Sequence, residues 1–151
     1  MHNWAHKADL QPESGKNPDH VAVDETVIQL NDGQYWLYAA VDPETNELLH
    51  TSLETTTHTV IAQTLLAEVD EKHGVSEVVF LVDGSHSLQA ACHRAGYEFR
   101  YEKHGNRNAV ERFFREIKCR IICFSNCFSN ASAETAGDWI SSLSFAWNQL
   151  I

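Results

Sequence analysis

Three acidic residues stand at positions where a site for divalent cations could form. Asp24 interrupts a β-branched apolar segment in the motif VAVDET, Asp83 directly follows the apolar run VVFLV, and Glu111 opens a segment with helical periodicity. A carboxylate beside a buried strand costs free energy unless it is paired or bound to metal. Because Mg²⁺ and Mn²⁺ prefer oxygen ligands, three convergent carboxylates could hold two such ions. One ion would activate a nucleophilic oxygen and the other would stabilise a leaving oxygen.

Each acid alone also has an ordinary structural interpretation. An acidic residue after a strand can cap the next helix, and one in a first helical turn is stabilised by the helix dipole. The metal-site hypothesis therefore depends on the three acids together.

The segment that begins at Asn108 has the pattern of an amphipathic helix. Glu111, Arg115 and Lys118 are spaced by four and three residues, so they share one stripe. The opposite stripe is apolar and must face a core; it comprises Val110, Phe113, Phe114, Ile117 and Ile121. Cations beside a carboxylate suit phosphate groups, although an ordinary surface ion pair has the same spacing. The preceding segment HGNRN, His104 to Asn108, adds polar donors.

The elements that must position these acids follow from the hydrophobic periodicity. It predicts strands at Val21 to Leu30, Gln34 to Asp42, Leu48 to about Thr55, Val78 to Val82 and Tyr97 to Tyr101. It predicts helices from Thr59 to the stop at His73 and Gly74, Ser87 to Ala95, Asn108 to about Cys123, and Ala133 to Leu150. A meander of three strands followed by alternating helices and strands predicts an α/β fold, with a mixed five-stranded sheet flanked by helices on both faces. Residues 1–18 are turn-rich and are predicted to be a connector arm, so the domain is expected at 19–151.

The charge is strongly asymmetric along the chain. The net charge is −10, but eight of the eleven basic residues lie between Arg94 and Arg120, where only four acids occur. That tract has a local charge of +4 on an acidic body, which indicates a localised anion-binding face. A solvated helix face, or the acidic surface typical of proteins from high-salt cytoplasms, would explain the asymmetry without any partner.

The four cysteines form no CxxC pair. Cys119, Cys123 and Cys127 fall at the spacing of one helix face, and Cys92 stands apart. A zinc site would need His93 or His104 as its fourth ligand and lacks the short spacing of structural sites. We interpret the cysteines as small buried side chains in a reducing compartment.

The length of 151 residues fits one domain with a substantial core. No apolar run approaches the length of a membrane span, and the first residues are polar. We therefore expect a soluble, cytoplasmic protein.

Together, the motifs VAVDET, FLVDG and HGNRNAVERFFREIKCR resemble the three acidic motifs of bacterial and archaeal insertion-sequence transposases. These enzymes belong to the DDE superfamily, which includes retroviral integrases. The sequence is most similar to the IS-six-type group in the form found in salt-loving archaea. The resemblance extends from HNW near the start to FAWNQLI at the end, and the third motif is its most specific part.

The resemblance implies a ribonuclease H-like catalytic domain with Asp24, Asp83 and Glu111 as its triad. Asp24 would bridge two Mg²⁺ or Mn²⁺ ions, and each of the other two acids would complete one. The implied reaction is cleavage at a transposon end, followed by attack of the freed 3′-hydroxyl on target DNA. A homo-oligomer is the implied active form, and the implied DNA contacts are Lys103, Arg107, Asn108, Arg115, Lys118 and Arg120.

Two features depart from the family pattern. The 28 positions from Asp83 to Glu111 are fewer than is usual in the superfamily. The helix-turn-helix domain that precedes the catalytic domain in family members is absent, which predicts an incomplete transposase. Two alternatives therefore stay open: a non-catalytic DNA-binding or dimerising remnant that modulates full-length transposase, and a free-standing ribonuclease H-like nuclease.

Overall fold

In the computed structural model, the described residues are 18–30, 33–74, 77–83, 85–102, 108–123 and 133–150. Five strands occur in them: β1 His20–Leu30, β2 Gly33–Val41, β3 Leu48–Glu54, β4 Val79–Val82 and β5 Glu98–Tyr101. Four helices accompany the strands: α1 Thr59–His73, α2 His86–Ala95, α3 Asn108–Cys123 and α4 Ala133–Leu150.

These elements confirm the predicted order, and each observed boundary lies within about one residue of its prediction. Of the predicted connector at residues 1–18, only Pro18 belongs to the described residues, so the connector and the domain boundary stay predictions. The glycine stops are also confirmed, since Gly74 and Gly96 follow α1 and α2 with φ of 62° and 76°. Only glycine adopts this left-handed conformation at low cost.

The sheet order is β3-β2-β1-β4-β5. β1 and β2, and β2 and β3, pair antiparallel, whereas β4 is parallel to both β1 and β5. This is the predicted mixed sheet. The parallel strands β1 and β4 are adjacent in its centre, and the carboxyl end of β4 lies beside the middle of β1.

Each face of the sheet is covered by two helices. Val21 and Val23 of β1 belong to the apolar cluster that includes residues of α1 and α2, whereas Ile28 belongs to the cluster that includes residues of α3 and α4. Side chains alternate along a strand, so odd-numbered residues at the start of β1 face α1 and α2, and even-numbered residues face α3 and α4. Among the described residues, no helix is long and apolar enough to cross a membrane.

Candidate active site

The parallel register of β1 and β4 places two of the predicted acids side by side. Ala22 pairs with Leu81, and Asp24 and Asp83 each lie two residues further along the chain. Side chains two residues apart share a face, and adjacent strands lie about 4.8 Å apart. Asp24, in the middle of β1, and Asp83, directly after β4, therefore follow the same face of these neighbouring strands.

That face is the one covered by α3 and α4. Asp24 pairs across the sheet with Ala39, which belongs to the same apolar cluster as Phe113 of α3. Asp24 is only 9% exposed, and its Oδ1 accepts a hydrogen bond of 2.9 Å from the N–H of Glu25. Asp24 thus lies within β1, as the sequence predicted.

Asp83 is held at the entrance to α2. It follows the last residue of β4, as predicted, and its side chain is half-buried. Its Oδ1 accepts a hydrogen bond of 2.9 Å from the N–H of Ser85, and its carbonyl oxygen accepts one of 2.9 Å from Nε2 of Gln89. Asp83 thus stabilises the turn from strand into helix, but it does not cap α2, because the N-cap residue is Ser85 and no side-chain cap hydrogen bond is formed there. This turn leaves a metal-binding role open, because a carboxylate has about four acceptor positions.

Helix α3 has the predicted amphipathic arrangement. Glu111 lies in its first turn and is exposed. The buried side is formed by Ala109, Val110, Phe113, Phe114 and Ile117, and the exposed side includes Asn108, Arg112, Arg115, Lys118 and Arg120. Four cations therefore project from the exposed side of α3. The predicted DNA contacts Lys103 and Arg107 lie outside the described residues, as does the side chain of Ile121.

The structure brings the two aspartates together but does not preassemble the full triad. Within the described parts of the chain, no three His, Cys, Asp or Glu side chains form a group that could hold a metal ion. Glu111 lies on α3, which packs over the face of the sheet that carries the aspartates. It does not form a group of three potential metal ligands with them. Convergence of the three acids around metal remains a prediction.

The interpretation of the cysteines as buried side chains is wrong for Cys119. Cys92 is buried, and this burial raises the pKa of its thiol to about 12, but Cys119 is exposed. The cause is helical periodicity, since Cys119 follows the exposed Arg115 by four residues. Cys127, the alternative zinc ligand His104 and the side chain of Cys123 lie outside the described residues.

A cavity of about 370 Å³ lies at the ends of α1 and α2 and was not anticipated from the sequence. Its lining comprises Glu25, Thr57, His58, Thr59, Ser85, His86 and Ser87. Glu25 directly follows Asp24, and Ser85 lies two residues after Asp83. Polar residues are common beside such motifs, so the sequence alone did not indicate a role for either of them.

Glu25 lies on the opposite face of β1 from Asp24. It pairs across the sheet with Tyr38, which belongs to the cluster packed against α1 and α2. Burial first, and then the negative charge of Glu25, raise the pKa of Tyr38 to about 12. Ser85 Oγ donates a hydrogen bond of 3.0 Å to Glu25 Oε1.

Comparison with known proteins yields one sequence relative and several related structures. No known protein-family model matches the chain. Over 134 residues, the chain is 32% identical to an uncharacterized protein of Methanocaldococcus jannaschii, covering 88% of this chain. The chain spans only 62% of the length of that relative.

Similar solved structures include retroviral integrase cores. The catalytic core domain of HTLV-2 integrase in complex with magnesium, in its dimeric form, superposes with a TM-score of 0.62 at 16% identity, covering 91% of each chain. The catalytic core domain of BIV integrase gives a TM-score of 0.56 at 13% identity, covering 83% of this chain and 82% of that one. A chain of the simian T-cell lymphotropic virus intasome, solved with a PP2A regulatory subunit, gives 0.61 at 16% identity, covering 90% of this chain and 50% of that one. The chain therefore has the ribonuclease H-like fold of retroviral integrase catalytic cores.

Proposed function

We propose that this chain is the catalytic domain of a DDE-type DNA transposase of the insertion-sequence kind. It would cleave DNA at a transposon end and join the freed 3′ end to target DNA. The observation that supports this best is the register of β1 and β4, which sets Asp24 beside Asp83 on the face covered by α3. The shared fold and the resemblance of all three acidic motifs to the IS-six-type group agree with it.

Asp24, Asp83 and Glu111 would hold two Mg²⁺ or Mn²⁺ ions. The donor set fits these metals because all three ligands are carboxylates. The ions, when bound, activate the attacking oxygen and stabilise the leaving oxygen. Glu111 is exposed in the first turn of α3, the helix that packs over the face of Asp24.

The exposed side of α3 is the proposed DNA-binding surface. Arg115, Lys118 and Arg120 would contact phosphates, with Asn108 beside Glu111 at the start of the helix and Lys103 and Arg107 in the loop before it. Phosphate contacts position DNA without reading its sequence. Because a transposon has two ends, the proposed active form is a homo-oligomer on DNA.

A strand-transfer assay tests this proposal. The chain, alone and fused to an end-reading domain, is supplied with a pre-cleaved DNA end, target DNA and Mn²⁺. We expect metal-dependent joining or nicking that Glu111→Gln abolishes while DNA binding is retained. Glu116→Gln, a partly exposed acid on the same helix, is the matched control and should retain activity.

Other outcomes would identify the alternatives. DNA binding without any metal-dependent product in both forms would favour a non-catalytic DNA-binding protein. Cleavage of the RNA strand of an RNA–DNA hybrid, without strand transfer, would favour a ribonuclease H-like nuclease.

A further inference from the structure

A continuous set of three hydrogen bonds joins the carboxylates of Asp24 and Asp83. The N–H of Glu25 donates to Asp24 Oδ1 at 2.9 Å, and the Glu25 side chain accepts from Ser85 Oγ at 3.0 Å. Ser85 in turn donates its N–H to Asp83 Oδ1 at 2.9 Å. Glu25 and Ser85 therefore bridge the two aspartates, although they are 60 positions apart in the sequence.

Glu25 is placed to act through its neighbours and not as a metal ligand. Its pairing with Tyr38 puts it on the face of α1 and α2, whereas Asp24 lies on the face of α3. The sheet therefore separates the Glu25 carboxylate from any ion held by Asp24. Glu25 instead contacts the turn that follows β4, through the hydroxyl of Ser85.

This bridge fixes the turn between β4 and α2. Asp83 lies one residue beyond the last residue of β4, where the chain leaves the sheet. The Ser85 hydroxyl ties this turn to β1, the strand that holds Asp24. A catalytic carboxylate has to be held within about 0.5 Å of its working position, and a tie between the two strands restrains the spacing of the aspartates directly.

We propose that Glu25 and Ser85 are positioning residues, which hold the Asp83 carboxylate at the correct distance from Asp24 for metal binding. This inference rests on the proposed function, because it assumes that the two aspartates bind the same metal centre. Neither residue would touch metal or DNA.

Mn²⁺ binding to the purified chain, measured by isothermal titration without DNA, tests the proposal. Glu25→Ala and Ser85→Ala should each weaken Mn²⁺ affinity roughly tenfold or more, since loss of a residue that orients a metal ligand typically costs 10- to 100-fold. Glu25→Gln keeps an oxygen that accepts from Ser85 and should stay within about threefold of wild type. Thr59→Val replaces another hydroxyl that lines the same cavity and is the matched control.

Strand-transfer activity provides a second measurement. At limiting Mn²⁺, Ser85→Ala should be much slower than wild type, and at saturating Mn²⁺ most of the rate should return, because all three ligands remain. Ser85→Ala removes one hydroxyl only, so it keeps the test valid if Glu25→Ala fails to fold.

Two results separate the failure of this inference from the failure of the proposed function. If Asp83→Ala loses Mn²⁺ binding but Glu25→Ala and Ser85→Ala bind as wild type does, the positioning role is overturned and the metal site stands. If Glu25→Ala or Ser85→Ala lowered the melting temperature but left the Mn²⁺ affinity unchanged, the bridge would likewise be a structural contact only. If Asp83→Ala itself binds Mn²⁺ as tightly as wild type, the proposed metal site is wrong.

Discussion

The side-chain amide of Asn148 forms two hydrogen bonds, each 2.7 Å long, with the backbone of Leu48. Its Nδ2 donates to the carbonyl oxygen of Leu48, and its Oδ1 accepts from the N–H of Leu48. Leu48 is fully buried and begins the edge strand β3. Helix α4 thus satisfies the backbone groups of Leu48, at an edge that no further strand covers among the described residues.

Loss of this amide should destabilise the fold. We expect Asn148→Leu to lower the free energy of unfolding by about 2 kcal/mol or more, because each buried backbone group left without a partner costs about 1 to 3 kcal/mol. Urea denaturation measures the change. Gln149→Leu, at the exposed neighbouring position, is the control and should change stability by under about 0.5 kcal/mol. Equal effects of the two substitutions would contradict the role of Asn148.

Divalent metal should stabilise the folded chain through the proposed site. A ligand that binds only the folded state raises the melting temperature with its concentration, so Mg²⁺ or Mn²⁺ should produce such a rise in wild type. Asp83→Ala should abolish it, and Glu71→Ala, an exposed acid on α1, should not. Without metal, Asp83→Ala should not lower the melting temperature through charge, because neighbouring carboxylates repel each other. A thermal shift that survives in Asp83→Ala would place the metal elsewhere.

The buried His73 should make stability depend on pH on the acid side. Burial lowers the pKa of His73 below its ordinary value of 6.5, although a hydrogen bond with the Leu49 carbonyl opposes this. The unfolded state therefore takes up a proton more readily than the folded state as pH falls through 6.5. The contribution of His73 is fully present above that pH and is lost below it.

Replacement of His73 should remove this part of the pH dependence. Urea denaturation between pH 8 and pH 5 should show a smaller loss of stability for His73→Gln than for wild type. His93→Gln, an exposed histidine on α2, is the matched control and should follow the wild-type curve. Parallel curves for wild type and His73→Gln would show that His73 does not control stability in this range.

The fold was predictable from the sequence because its signals are local. The run VVFLV has the composition of a strand buried on both faces, and Gly74 and Gly96 mark helix ends through their backbone conformation. The exposed and buried sides of α3 follow from a period of 3.6 residues. The same period places Cys119 on the exposed side, so the error there came from treating residue type as stronger evidence than helix position.

The site was predictable only in part because its geometry is non-local. The position of Asp24 within an apolar strand and of Asp83 at a strand end indicated these two acids, but the pairing of Ala22 with Leu81 that sets them side by side depends on sheet register. The contact between Glu25 and Ser85 depends on the same register, and neither residue has a local signal of its own. Glu111 could be assigned to a helix start, while its distance from the aspartates depends on how α3 docks on the sheet.

The exposed side of α3 should determine how DNA affinity depends on salt. Arg115 and Lys118 are exposed on this helix, and each phosphate contact releases about one condensed counterion when it forms. Arg115→Ala and Lys118→Ala should therefore each flatten the slope of log affinity against log salt by about one unit, with similar losses on unrelated DNA sequences. Fluorescence anisotropy with two unrelated duplexes at several salt concentrations measures both effects.

Lys72→Ala, which changes an exposed cation on α1 across the sheet, is the matched control and should leave the slope unchanged. Glu111→Gln should also leave it nearly unchanged, because it removes a proposed metal ligand and no phosphate contact. If Lys72→Ala flattened the slope as much as Lys118→Ala, DNA would be attracted to the general cationic surface and α3 would not be the binding face.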